Sequence, residues 1–193
     1  MELDKIELKH HEANSRAQLL YVDKHTIIKI TRISFKGTAK FGDLKCDSLH
    51  TNLISLTECR IKAVNRSFNI VNLKCTVNKK ISEFQINFKL LKRERGGWHP
   101  FLYDINVDMC DFFKRPYKFM VFTFFYKYAK DYTSMNHTCP YLPNVEIALL
   151  DWGINEKEIL QKFPVEIGVY AIHTTWYTNK KSFLQINATI VYE

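Results

Sequence analysis

Apolar and polar residues alternate with a period of two along much of the chain. The pattern is clearest in ISEFQINFKLLK (81–92) and KSFLQINATIVY (181–192). In the first of these segments every second residue is apolar: Phe84, Ile86, Phe88 and Leu90. Because the side chains of a β-strand point alternately to its two faces, both segments are predicted to be half-buried strands of an antiparallel sheet.

Six further segments have the β-branched and aromatic content that is typical of strands. They are residues 40–49, 55–64, 68–77, 98–107, 144–151 and 166–178. Turn-forming residues lie between the segments, at 65–66, 78–80, 95–97 and 178–181, and we therefore expect most neighbouring strands to pair as hairpins. Eight short strands with this spacing predict a mainly β protein, either a sandwich or a barrel.

One region departs from the strand pattern and is predicted to be a helical insertion at about 110–133. After Pro116 its apolar residues recur at helical spacing: Phe119, Phe122, Tyr126 and Ala129. A second short helix is predicted at 155–162, NEKEILQK. Such apolar stripes usually serve packing, and we expect the same of both helices.

The chain divides into a charged N-terminal appendage, residues 1–34, and a domain at 35–193. The domain boundary follows from composition, because the appendage lacks cysteine and has little periodicity. Its first residues, MELDKIELKHHEANSR, are charged where an export signal would have an apolar segment of roughly 7–15 residues.

Composition favours one packed domain and excludes several classes of protein. Hydrophobic residues make up 46% of the 193 residues, which is sufficient for a core. The longest apolar run, MVFTFFY at 120–126, is far shorter than the roughly 20 residues of a membrane-spanning helix, so no transmembrane segment is predicted. A net charge of +8 favours acidic partners, but no zinc-finger, GxxG or ribonucleoprotein motif is present, and we expect no binding of nucleic acid.

Sequence motifs for catalysis are missing. The chain contains no G-x-S-x-G, no HExxH and no Gly-rich phosphate loop, and it has only six glycines. His10 and His11 are adjacent in a polar stretch, where solvation is more common than metal binding. We therefore expect a protein that is not an enzyme and that needs no metal or cofactor.

The cysteines and the glycosylation sequons suggest the secretory route. Five cysteines without a CxxC pair are compatible with two disulfides in an oxidising compartment or with free thiols in a reducing one. The three Asn-x-Ser/Thr acceptors fall at a predicted turn, in a loop and on the polar face of a strand: Asn65, Asn136 and Asn187. The count of cysteines leaves their pairing open.

Three runs of sequence resemble a known family. They are CDSLHTNLISLTECRIKAVNRSFNIVNLKC (46–75), FKLLKRERGGWHPFLYDINVDMCDFF (88–113) and FYKYAKDYTSMNHTCPY (125–141). The most specific motifs within them are CRxKAVNR (59–66), PFLY (100–103) and NHTCPY (136–141). The runs resemble the insect family of small secreted proteins that includes the chemosensory-type B proteins. That family is distantly related to the ML lipid-recognition superfamily, which includes the Niemann–Pick type C2 sterol carrier.

The resemblance implies an immunoglobulin-like antiparallel β-sandwich whose two sheets part to admit a lipid-like or pheromone-type ligand. The expected cavity lining comes from the strand predicted at 81–92 and from the helical insertion: Phe84, Ile86, Phe88, Leu90, Phe119, Phe122, Phe125 and Tyr126. Three tryptophans are candidates for its entrance: Trp98, Trp152 and Trp176. The alternative function is an extracellular protein-interaction module, with a closed core and a basic surface that contacts a receptor or matrix.

The resemblance also implies which cysteines form disulfides: Cys46, Cys59, Cys110 and Cys139. Cys75 is then a spare buried thiol. On the predicted strands, Cys46 would face Cys59 across a hairpin, and Cys110 and Cys139 would bracket the helical insertion, which we take as a hypothesis for the pairing. Members of the family are exported, so the protein is expected outside the cell. The charged first residues then reflect either an alternative or mistaken start or an isoform that stays inside the cell, and we favour the first.

Overall fold

A computed structural model of the protein describes residues 37–155 and 165–193. The N-terminal appendage at 1–34 and the helix predicted at 155–162, apart from Asn155, lie outside these ranges. Within them no helix has the length and apolar character that are required to cross a bilayer.

The described residues form eight strands, close to the eight that the alternation predicts. They are β1 (Ala39–Ser48), β2 (Ile54–Ala63), β3 (Asn69–Val77), β4 (Gln85–Glu94), β5 (Gly97–Asp108), β6 (Glu146–Gly153), β7 (Gly168–Thr178) and β8 (Lys181–Tyr192). Every pairing between them is antiparallel. The predicted mainly β sandwich with one helical insertion is confirmed.

The strands form two sheets. The larger has the order β1-β8-β7-β4-β5, and the smaller has the order β2-β3-β6. Only β2–β3, β4–β5 and β7–β8 pair as sequence neighbours, so the expectation that most neighbouring strands form hairpins is wrong. Alternation shows which face a residue takes, but it does not show which strand lies beside it, and the other connections change sheet.

Two of the hairpin turns require residues with positive φ. Arg95 and Gly96 have φ of 47° and 79° in the β4–β5 turn, and Asn179 and Lys180 have φ of 49° and 62° in the β7–β8 turn. Positive φ at both central residues is the type I′ geometry that matches the twist of paired strands. The turn signals RGG and TNKK therefore identify these two hairpins correctly.

The helical insertion consists of three short pieces. They are α1 (Met109–Lys114), a 3₁₀ helix (Pro116–Phe119) and α2 (Met120–Ala129). Asp108 caps α1, because its carboxylate accepts a hydrogen bond from the backbone N–H of Asp111 at 2.9 Å. Pro116 lacks a backbone N–H and starts the 3₁₀ helix after α1 ends. The insertion thus begins and ends within a few residues of its predicted bounds.

At one edge of the sandwich, β1 of the larger sheet meets β2 and β3 of the smaller one. A disulfide joins Cys46 on β1 to Cys59 on β2. The side-chain amide of Asn69 accepts from the backbone N–H of Phe41 at 2.9 Å and donates to the carbonyl of Phe41 at 2.7 Å. Because β1 and β2 lie in different sheets, this disulfide ties the sheets together and does not span a hairpin as expected.

At the opposite edge, the helical insertion lies between β5 and β6. The ring of Phe125 on α2 contacts that of Tyr103 on β5, with centroids 6.0 Å apart. The indole N–H of Trp152 on β6 donates to the carbonyl of Tyr128 on α2. A second disulfide, Cys110–Cys139, joins α1 to the segment that precedes β6. The two disulfides therefore lie at opposite edges of the sandwich.

Candidate functional site

The two sheets and α2 line an apolar cavity of about 290 Å³ that is partly open to the surface. Its walls consist of inward-facing residues of strands in which apolar and polar residues alternate, and of one face of α2. The sandwich is therefore not filled along its whole length.

The larger sheet supplies the first wall in cross-strand rows. Phe88, Thr174 and Ile186 lie opposite one another on β4, β7 and β8, and Leu90, Ile172 and Ala188 form the next row. All six line the cavity. Since each strand presents every second residue to the same face, the apolar alternation of β4 and β8 produces this surface directly.

The smaller sheet supplies the second wall from β3 and β6. Three pairs of opposed residues face the cavity: Val71 with Trp152, Leu73 with Leu149, and Cys75 with Ile147. The sequence contains the signal for this wall, because Val71, Leu73 and Cys75 are separated by single residues. The predicted lining nevertheless omits them, since a strand pattern does not show which sheet will face which.

Helix α2 closes the third side with aromatic side chains. Phe125 and Phe122 lie 5.0 Å and 6.1 Å from the ring of Phe88, so the helix packs directly on β4. The hydroxyl of Tyr126 donates to the carbonyl of Met135 at 2.8 Å and fixes the helix to the following segment. The helix is thus a wall of the cavity as well as a packing element.

Six of the eight predicted lining residues lie in the cavity wall: Ile86, Phe88, Leu90, Phe122, Phe125 and Tyr126. The other two lie in the adjoining core. Phe84 stacks on Trp176 with ring centroids 5.7 Å apart, and Phe119 packs on Phe112 at 6.2 Å. Phe84 precedes β4, where the space between the sheets is filled by large side chains.

The three tryptophans have different positions. Trp152 and Trp176 both line the cavity. Trp98 is exposed on β5, where the guanidinium of Arg93 lies 5.9 Å from the centre of its ring. Trp98 is therefore a surface residue and not part of the cavity wall.

Cys75 is a free buried thiol in the wall. Its sulfur donates to the carbonyl of Ile147 at 3.5 Å. Burial, and to a smaller extent the carboxylate of Glu146, raises the pKa of the Cys75 thiol to about 12. The thiol is therefore neutral at physiological pH, and it contributes to the wall as a small apolar group.

The three glycosylation acceptors lie on the surface or near it. Asn65 is exposed in the turn between β2 and β3, where its side-chain oxygen accepts from the N–H and the hydroxyl of Ser67. Asn136 is exposed in the segment before β6. Asn187 is half-buried on the outer face of β8, opposite Lys45 and His173. None of the three lines the cavity.

Comparison with protein families gives one match. Residues 86–172 match the model of a family described as "Protein of unknown function (DUF1091)". The matched stretch begins in β4, includes β5, the helical insertion and β6, and ends in β7. It therefore contains most of β4 and the start of β7 from the first wall, β6 from the second wall, all of α2 and the Cys110–Cys139 disulfide. The comparison with curated proteins finds no match.

Proposed function

We propose that the protein binds a small apolar molecule between its two sheets and acts as a carrier, not as an enzyme. The observation that carries this proposal is the cavity of about 290 Å³ with apolar side chains on all three sides. Its volume is close to the lower end of ligand sites, which range from roughly 300 to 1,000 Å³. Burial of apolar surface and dispersion would supply most of the affinity.

The alternative is a protein-interaction module with a filled core. Protein interiors are close-packed and contain few voids larger than a water molecule. A cavity lined from both sheets and α2 is difficult to reconcile with a sandwich whose only purpose is to present its surface. The cavity therefore favours the carrier over the interaction module.

We further propose that the protein works outside the cell as a relative of the chemosensory-type B proteins and of the ML superfamily. The two disulfides support this location, since structural disulfides persist in oxidising compartments. The exposure of Asn65 and Asn136 supports their use as glycosylation sites. Intact-mass measurement of the exported protein before and after glycosidase treatment tests this part of the proposal.

Filling the cavity tests the carrier function. Ala188 lies on the inner face of β8 in the cavity wall, and Ala188→Phe would place a ring in the ligand space. Gln185→Phe is the matched control, because it adds the same ring to the same strand on the outer face. The neutral fluorophore N-phenylnaphthylamine reports occupancy of apolar cavities. We expect Ala188→Phe to weaken its binding by about tenfold or more, and Gln185→Phe to leave binding unchanged.

Unchanged binding in the Ala188→Phe variant would place the fluorophore elsewhere on the protein and would contradict the proposal. A thermal unfolding transition measured for both variants shows that each is folded, so loss of binding is not confused with loss of structure. Failure of the unaltered protein to bind the fluorophore or other apolar molecules would favour the interaction module.

A further inference from the structure

We infer that the cavity selects electrically neutral ligands and rejects anions such as fatty-acid carboxylates. This inference rests on the proposed function, and it names the chemical class of the ligand. Two observations carry it: the hydrogen bonds of the wall and the ion pairs at one end of the cavity.

Five polar side chains of the wall already donate hydrogen bonds within the protein. The hydroxyls of Thr133, Thr174 and Tyr126 donate to backbone carbonyls at 2.9, 3.0 and 2.8 Å. The indole N–H groups of Trp152 and Trp176 donate to a carbonyl and to a threonine hydroxyl. A buried carboxylate requires several donors, and these groups have none to offer without breaking an existing bond.

A lysine beside one end of the cavity is paired with two carboxylates. Lys92 lies opposite Tyr170, which lines the cavity, and the Lys92 ammonium is 2.9 Å from a carboxylate oxygen of Glu94 and 2.9 Å from one of Glu166. This group of three carries a net charge of −1. The hydrogen bonds to Glu94 and Glu166 raise the pKa of Lys92, which holds it in the charged, paired form.

An incoming carboxylate would therefore approach a lysine that is already neutralised, beside the two carboxylates that neutralise it. Like charges repel, so Glu94 and Glu166 disfavour an anion at this end of the cavity.

The cavity is long enough for an extended ligand. The lining positions of β7 run from Tyr170 to Trp176, about 20 Å at the rise of a strand. This length accommodates an extended apolar chain.

A series of ligands that differ only at one end tests the inference on the full chain. Hexadecane, hexadecanol, methyl palmitate and palmitate are delivered from cyclodextrin, and their affinities are measured by displacement of N-phenylnaphthylamine. At neutral pH a buried carboxylate must either lose its hydration or take up a proton, and both cost affinity. We expect palmitate to bind at least about tenfold more weakly than methyl palmitate.

The ion pairs provide a matched set of variants. Replacing both acids, Glu94→Gln with Glu166→Gln, frees Lys92 and is expected to raise the affinity for palmitate about tenfold while that for methyl palmitate stays constant. Glu83→Gln removes an exposed acid just beyond the other end of β4 and is expected to change neither affinity.

If palmitate binds as tightly as methyl palmitate to within about threefold, or binds more tightly, the inference is overturned. The carrier function would stay intact. Absence of binding by all four ligands would instead refute the proposed function, and the inference with it.

Discussion

The indole N–H of Trp152 donates a hydrogen bond of 3.0 Å to the carbonyl oxygen of Tyr128. Trp152 belongs to β6 and Tyr128 to the last turn of α2, where backbone carbonyls have no partner within the helix. The neighbouring carbonyls of Tyr126 and Ala129 accept from the N–H groups of Lys130 and Tyr132. The Trp152 side chain thus provides a donor for a carbonyl in the last turn of α2 and joins the helix to the smaller sheet. It also lines the cavity.

Trp152→Phe removes this hydrogen bond and keeps an aromatic ring in the wall. We expect the free energy of unfolding to fall by about 1 kcal/mol or more, because a partly buried carbonyl loses its donor. We also expect faster amide exchange in α2 and weaker binding of N-phenylnaphthylamine. Denaturant titration and hydrogen exchange measure these effects, with the exposed Trp98→Phe as control. Equal exchange of α2 in the two variants would show that the bond does not hold the helix.

The two disulfides differ in the length of chain that they enclose. Cys46 and Cys59 are 13 residues apart, and Cys110 and Cys139 are 29 apart. The loop-entropy relation gives a stabilisation of about 3 kcal/mol for the shorter loop and about 3.5 kcal/mol for the longer. Replacing each pair by alanine should reproduce this order in urea unfolding, and only the Cys110–Cys139 variant should also lose affinity for apolar ligands. Equal loss of affinity in both would contradict the assignment of α2 as a wall.

Cys75 provides a reporter inside the cavity. A thiol with a pKa of about 12 has roughly a thousandfold less thiolate at pH 8 than one with the unperturbed value near 9. We therefore expect iodoacetamide to modify Cys75 slowly in the folded protein and rapidly in urea, and a bound apolar ligand to slow the folded reaction further. Mass spectrometry of timed samples measures these rates. Modification as fast as that of an exposed cysteine would mean that Cys75 is not buried.

His173 gives the stability of the protein a pH dependence. Burial, and secondarily the nearby charge of Lys89, lowers the pKa of His173 in the folded state. The unfolded chain then binds a proton more readily, so the full stability is present above about pH 6.5 and is lost as the pH falls toward the folded pKa. The urea midpoint should therefore decrease less on acidification in His173→Gln than in the unaltered protein. Parallel curves for the two proteins would contradict the shift.

The strands could be predicted from the sequence because burial on one face leaves a period of two. The eight strands begin and end within a few residues of the predicted bounds, apart from the strand predicted at 81–92, which begins at Gln85. The pairing of β1 with β8 could not be predicted in this way, because these strands lie at opposite ends of the domain and no local signal connects them. Their register depends on the packing of the whole sandwich.

Some residues of the walls could be predicted from the sequence, but the existence of an open cavity between them could not. Phe84 and Phe88 occupy equivalent positions in one alternating run, yet Phe84 stacks in the filled core on Trp176 whereas Phe88 faces the open space. The difference arises from the residues opposite each ring, which belong to other strands. Alternation identifies the inward residues, and only the assembled sheets show where the packing is incomplete.

Native mass spectrometry of the protein as it is exported from eukaryotic cells, with solvent extraction of the material that accompanies it, tests the central claim most directly. The full chain would be directed to the secretory route by a borrowed signal. We predict a discrete adduct that extracts into organic solvent, carries no charge of its own and is missing from the Ala188→Phe variant. Protein that is free of adduct and refuses every apolar ligand offered to it would contradict the claim.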